Sequence, residues 1–175
     1  TDSTYALGFY IGDHAALERI RSLRQLNSKH LFTLVCRNLS DITRYARVSN
    51  WAFRTLKSFT PGPYTFLLNA TREVPKRLLN PKRRVIGVRI PDNQITQALL
   101  AAIGGPIMSS TLQLPGQVLP MIDPVLIRES LQHHIELVID GGPIGIEETT
   151  VIDMLEDIPK IVRIGKGDPT AFKYD

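Results

Sequence analysis

Three strand-like runs end this chain with no helix between them: "ELVID" (136–140), "TTVIDM" (149–154) and "KIVRIG" (160–165). A doubly wound parallel sheet returns through a crossover helix after each strand. Loops alone separate these three runs, so tidy βαβ alternation is excluded for this third of the chain. Upstream, apolar runs at "LFTLVC", "YTFLLNA", "RRVIGVRIPD" and "PIMSST" read as four more strands. Helix-like segments are mixed among them. The expected fold is therefore α+β: one twisted, mixed sheet of about seven strands with flanking helices.

Five helices are expected. "DHAALERIRSLRQL" carries Asp13 as N-cap, with Ala16, Leu17, Ile20 and Leu23 forming an apolar stripe. "SDITRYA" and "NWAFRTLKSF" read as short helices capped by Ser40 and Asn50. "NQITQALLAAIGG" is a helix stopped by Gly104 and Gly105. "DPVLIRESLQ" has Asp at the cap and Pro at the first helical position. The 175 residues suit a single domain spanning 1–175, and 43% hydrophobic residues are ample for its core. The longest apolar runs fall well short of the roughly 18 residues a membrane helix needs, so no membrane association is expected. The one cysteine, Cys36, sits in "LFTLVC" and reads as a buried thiol in a reducing, cytoplasmic setting.

Chemistry is expected at the ends of the strands. "PGPYT" (Pro61–Thr65) sets a rigid turn directly before one of them. Arg89 stands near the end of the apolar "VIGVRIP", where it must meet an anion or a carboxylate at the rim. Ser109, Ser110 and Thr111 follow a strand, and Thr149 and Thr150 repeat the theme. Such hydroxyls bind phosphate or carboxylate oxygens, or cap loops. "DGGPIG" (Asp140–Gly145) lets backbone approach a ligand, and Arg163 lies beside Gly165. The net charge of +4 favours anionic ligands or an ordinary soluble surface. "PKRLLNPKRR" (Pro75–Arg84) holds five basic residues without interleaved aromatics, and reads as a solvated loop or a contact for RNA phosphates.

Other chemistries are set aside. "GKGDPT" has the lysine of a P-loop but not its spacing, and no G-x-S-x-G elbow is present. His14, His30, His133 and His134 follow no metal-ligand spacing, so no protein-held metal is expected.

Taken in order, "TDSTYAL", "LRQLN", "PGPYT", "VIGVRIP", "SSTLQLPG", "TTVID" and "RIG" resemble the motifs of the YrdC-type threonylcarbamoyl-AMP synthases, most closely their YciO-like branch. The resemblance spans essentially the whole chain. It implies a YrdC-like fold in which "TDSTYALG" is the first ligand-binding loop, preceded in the family by a helix and a strand that this sequence lacks. It also implies a nucleotidyltransferase that makes threonylcarbamoyl-AMP and pyrophosphate from L-threonine, bicarbonate and ATP, with Mg²⁺ on the ATP phosphates. That product feeds the threonylcarbamoyl modification of tRNA. No protein nucleophile is needed, because threonine carbamate itself attacks the α-phosphate.

By resemblance, threonine falls to Ser3, Arg89, Ser109 and Thr149, and the nucleotide to Arg24, Thr111 and Arg163. Tyr5, Gln113 and Thr150 line the site. Three positions depart from the family pattern. Leu26 stands where a second cation is expected, Val35 where a histidine is, and Gln113 where an asparagine is. These departures imply weaker handling of the triphosphate. An alternative is a YrdC-like protein that binds tRNA or double-stranded RNA without the synthase chemistry.

Overall fold

The computed structural model describes residues 1–79 and 83–173. Its core is one eight-stranded mixed sheet. The strands are β1 (Ala6–Tyr10), β2 (Thr33–Val35), β3 (Ala46–Arg47), β4 (Tyr64–Ala70), β5 (Val85–Arg89), β6 (Ile107–Thr111), β7 (Thr150–Asp153) and β8 (Lys160–Arg163). The order across the sheet is β1-β6-β2-β5-β4-β7-β8, with β3 paired to β4 off this path. Only β2/β5 and β4/β7 run parallel.

Five helices accompany the sheet: α1 (His14–Arg24), α2 (Leu39–Tyr45), α3 (Asn50–Phe59), α4 (Gln94–Ile103) and α5 (Pro124–Leu131). The expected α+β class, mixed sheet and helix count all hold. The strand set differs in detail. "ELVID" forms no strand, and the segment from Gln132 to Thr149 crosses the molecule without regular structure. Two strands appear that the sequence reading left out, β1 and the two-residue β3.

Local chemistry accounts for the helix ends. Asp13, Asn93 and Asp123 each accept a first-turn amide, and Gly104 closes α4 in the left-handed region at φ 78°. The caps of α2 and α3 are Asn38 and Ser49, rather than the expected Ser40 and Asn50. In each case an earlier side chain reaches the amide two or three residues inside the helix, and the expected cap is itself helical. Helix α1 ends on Gln25 in the left-handed region (φ 51°), with Leu26 N–H donating to the Arg21 carbonyl.

Strand alternation gives the sheet two unlike faces. Leu7, Phe9, Leu34, Phe66, Leu68, Ile86, Val88, Met108 and Ile152 lie on one face and join a single apolar core with Leu17 and Ile20 of α1, Ile42 of α2 and Leu56 of α3. The opposite face carries glycines and hydroxyls. Gly8 pairs with Ser109, Ser109 with Thr33, and Thr33 with Gly87. A Cβ on Gly87 would meet the Thr33 and Thr65 side chains at 3.2 Å, so the row continues to Thr65 and on to Thr149. Among the described residues, no helix is long and apolar enough to cross a membrane.

Candidate functional site

The hydroxyl face collects most of the residues singled out from the sequence. Arg89 ends β5 with its neighbours packed tightly enough that only 7% of it is exposed. Its guanidinium pairs with the Asp2 carboxylate, and Nη1 donates to Ser3 Oγ at 3.3 Å. Arg89 Nε is buried without a partner among the described residues. Thr65 and Thr149 share a hydrogen bond of 2.8 Å on the same face. Arg163, on β8, donates to the Thr149 carbonyl through Nε (3.1 Å) and Nη2 (2.9 Å), and its Nη1 reaches Glu148 at 2.6 Å. Thr111 donates to the other Glu148 oxygen at 2.7 Å. Ser109 donates to the Thr33 carbonyl at 3.3 Å.

Burial lowers the Arg89 pKa first, Asp2 opposes that shift, and Arg163 adds to it. The repulsion from Arg163 shows two guanidinium charges gathered in one region. Ser3, Arg89, Ser109, Thr111, Thr149 and Arg163 are thus brought to one side of the sheet. Ser109, Ser110 and Thr111 lie inside β6, not beyond its end, because β1 pairs with all three.

Three residues fall elsewhere. Thr150 points to the opposite face, where its hydroxyl donates to the Gly167 carbonyl (2.5 Å) and accepts from Gly165 N–H (2.9 Å). Arg24 approaches β6 from the helix side. It donates to the Gln113 carbonyl at 2.9 Å and to Ser110, which alternates away from Ser109 and Thr111. Burial lowers the Arg24 pKa, and the Glu148 charge opposes that shift. The Gln113 amide turns into its own loop, donating to the carbonyls of Gln117 and Val118.

At the departure positions, Leu26 packs against the apolar core and Val35 is buried between Arg89 and Ile107 in the sheet. Tyr5 clasps the "DGGPIG" loop. Its hydroxyl donates to the Gly142 carbonyl at 2.7 Å and accepts from Gly141 N–H at 3.1 Å.

Asp2 and Glu148 were not among the residues singled out. Each is a carboxylate on one of the two arginines, supplied by a segment outside the regular elements and just before a strand. The signal for Asp2 was present: an arginine in an apolar strand needs an anion, and the anion proves to be in the chain itself. Nothing in the sequence distinguished Glu148 from Glu147. Two surface cavities, of about 410 Å³ and 280 Å³, open near Asn69, far along β4 from Thr65. Neither touches Arg89, Thr149 or Arg163. Arg83 and Arg84 line the larger cavity; Lys82 of the same basic run lies outside the described residues.

Known proteins share this arrangement of strands. YciO of Escherichia coli (strain K12) is 51% identical over 98% of this chain and 84% of its own length. The crystal structure of E. coli YciO superposes with a TM-score of 0.93, covering 99% of this chain and 84% of that one. The threonylcarbamoyl-AMP synthase of Mus musculus is 30% identical over 88% of this chain, which spans 56% of that protein. P. abyssi Sua5 complexed with L-threonine matches at a TM-score of 0.83 and 26% identity, over 94% of this chain and 48% of that one. The family profile described as "Telomere recombination" matches residues 1–165, and the chain belongs to that Sua5/YciO/YrdC family.

Proposed function

We propose that the protein makes threonylcarbamoyl-AMP from L-threonine, bicarbonate and ATP, for the modification of tRNA in the cytoplasm. The observation that carries this reading is Arg89. It is a buried guanidinium with an unpartnered Nε, beside Ser3 and the hydroxyls of Thr65 and Thr149. Such a group suits an amino-acid carboxylate, and the hydroxyls suit the side chain and amine of threonine. Similarity to a synthase and to a Sua5 structure holding L-threonine supports the assignment.

The chemistry asks little of the protein beyond alignment and charge. The threonine nitrogen takes up CO2 from bicarbonate. A carbamate oxygen then attacks the α-phosphorus of ATP, and the bond to the β-phosphate bridging oxygen breaks, releasing pyrophosphate. Arg163 and Thr111 are the groups for the nucleotide phosphate. Mg²⁺ carried on the ATP phosphates would neutralise part of their charge. The described residues include no cluster of three His, Cys, Asp or Glu side chains to hold a metal of the protein's own.

The test is pyrophosphate release that requires ATP, L-threonine and bicarbonate together. Omitting any one should abolish it, and Arg89→Ala should reduce it by about tenfold to a hundredfold, the loss typical of a charged partner. No turnover, combined with salt-dependent binding of double-stranded RNA or tRNA, replaces this reading with that of an RNA-binding relative.

A further inference from the structure

We infer that Glu148 is an internal substitute for a ligand anion, a carboxylate that must leave Thr111 and Arg163 before a nucleotide phosphate binds them. The inference rests on reading this face as a nucleotide site. Glu148 offers one oxygen to each donor. Oε1 accepts from the Thr111 hydroxyl at 2.7 Å and Oε2 from Arg163 Nη1 at 2.6 Å. Two oxygens of a phosphate would satisfy the same two donors in the same way.

The site is built for that exchange. Arg163 does not depend on Glu148 for its orientation, since Nε and Nη2 stay bonded to the Thr149 carbonyl. Removing the carboxylate leaves Nη1 aimed and free. The Glu148 main chain is fixed as well, because its carbonyl accepts from Lys166 N–H at 2.9 Å. Only the side chain has to turn. Glu148 and Arg163 are 31% and 41% exposed, so the displaced carboxylate can enter water without desolvation.

Asp2 makes the contrast. It is 8% exposed, its pair with Arg89 is buried, and its second oxygen accepts from Asp92 N–H at 2.8 Å. The Asp2 pair is a structural one, whereas the Glu148 pair can be exchanged. A phosphate with two charges competes with Glu148 for both donors, and a neutral nucleoside does not. Glu148 therefore holds down the affinity for the phosphate and leaves that for the nucleoside untouched.

Calorimetric titration of AMP and adenosine into the unmodified protein, Glu148→Gln and Glu148→Asp tests this. Glutamine keeps the size of the side chain and loses the charge, so Glu148→Gln should tighten AMP by about three- to tenfold and leave adenosine unchanged. Aspartate is one methylene too short to span Thr111 and Arg163, so Glu148→Asp should tighten AMP to an intermediate degree; it also answers the question if the glutamine variant fails to fold. Unchanged or weaker AMP binding in the variants, with AMP binding by the parent intact, overturns the role of Glu148 and leaves the proposed function standing. Absence of AMP binding by all three proteins overturns both.

Discussion

Arg89 and Asp2 form an ion pair inside the protein, with side chains only 9% and 8% exposed. A buried pair contributes little net stability, but removing one partner strands the other charge. Arg89→Met should therefore cost about 3–5 kcal/mol in urea unfolding. Adding Asp2→Asn should restore much of that loss. Equal stability of the single variant and the parent would show that Asp2 does not depend on Arg89.

His30 provides a pH dependence. Its ring shares a 3.0 Å hydrogen bond with Ser110, and burial, then Arg24 and Arg21, push its pKa down to about 4. The ring is neutral in the fold and takes up a proton readily when unfolded. Below the ordinary histidine value of about 6.5, the unfolded chain binds more protons, so stability falls as pH drops toward about 4. The contribution lost is about 2 kcal/mol after allowance for solvent screening. Denaturation at pH 7 and pH 4.5 should show His30→Gln losing less stability than the parent over that interval. Parallel losses in the two proteins would contradict this.

Gly165 admits no side chain. A Cβ there would stand 2.2 Å from the Glu148 carbonyl oxygen and 2.7 Å from the Thr149 carbonyl atoms, all of them backbone. Gly165→Ala should destabilise by about 1–3 kcal/mol or more. It should also weaken nucleotide binding, because it separates Arg163 from Thr149. A thermal melt and an AMP titration of the variant check both effects, and normal values in both would mean the loop has room to yield.

The position before Asn27 bears on nucleotide choice. Leu26 packs on the core, and the Arg24 guanidinium is engaged with Ser110 and Gln113 rather than free for an outer phosphate. ATP should bind no tighter than AMP in titrations of the parent. A Kd for ATP tenfold or more below that for AMP would mean that other groups hold the outer phosphates.

The legible parts of this fold share one property: the signal was local. The Asp13 and Asp123 caps, the Gly104 stop and β4 from Tyr64 to Ala70 follow from side chains within a few residues. "ELVID" misled because an apolar run is consistent with a strand only when a partner is available, and Leu137 is 71% exposed with none. Strand β1 was hidden for the opposite reason. Leu7 and Phe9 alternate inward as a strand requires, but Gly8 and Tyr10 give the run no clear polar alternation, and the ligand-binding motif overlaps its start. For the site, motif order located Arg89, Thr149 and Arg163 on one face. The same order could not separate Thr150 from Thr149, since facing depends on the parity of the pairing to β4. Arg89 in an apolar strand signals the need for an anion, but its partner Asp2 is 87 residues away, so local sequence does not say which carboxylate answers it.

The pairing of β1 with β6 sets Gly8 opposite Ser109 and Leu7 opposite Ser110. Suppose β6 slid by a single residue along its neighbour. Met108 would then emerge where Ser109 belongs, and the serine would be driven into the oil beneath. The same misstep that spoils the interior also erases the polar floor. A molecule with this error could not pass as well folded yet inactive, or as active yet loosely built. For this pair of strands, competence to bind and soundness of construction are one property, so ligand binding can serve as an assay of the fold itself.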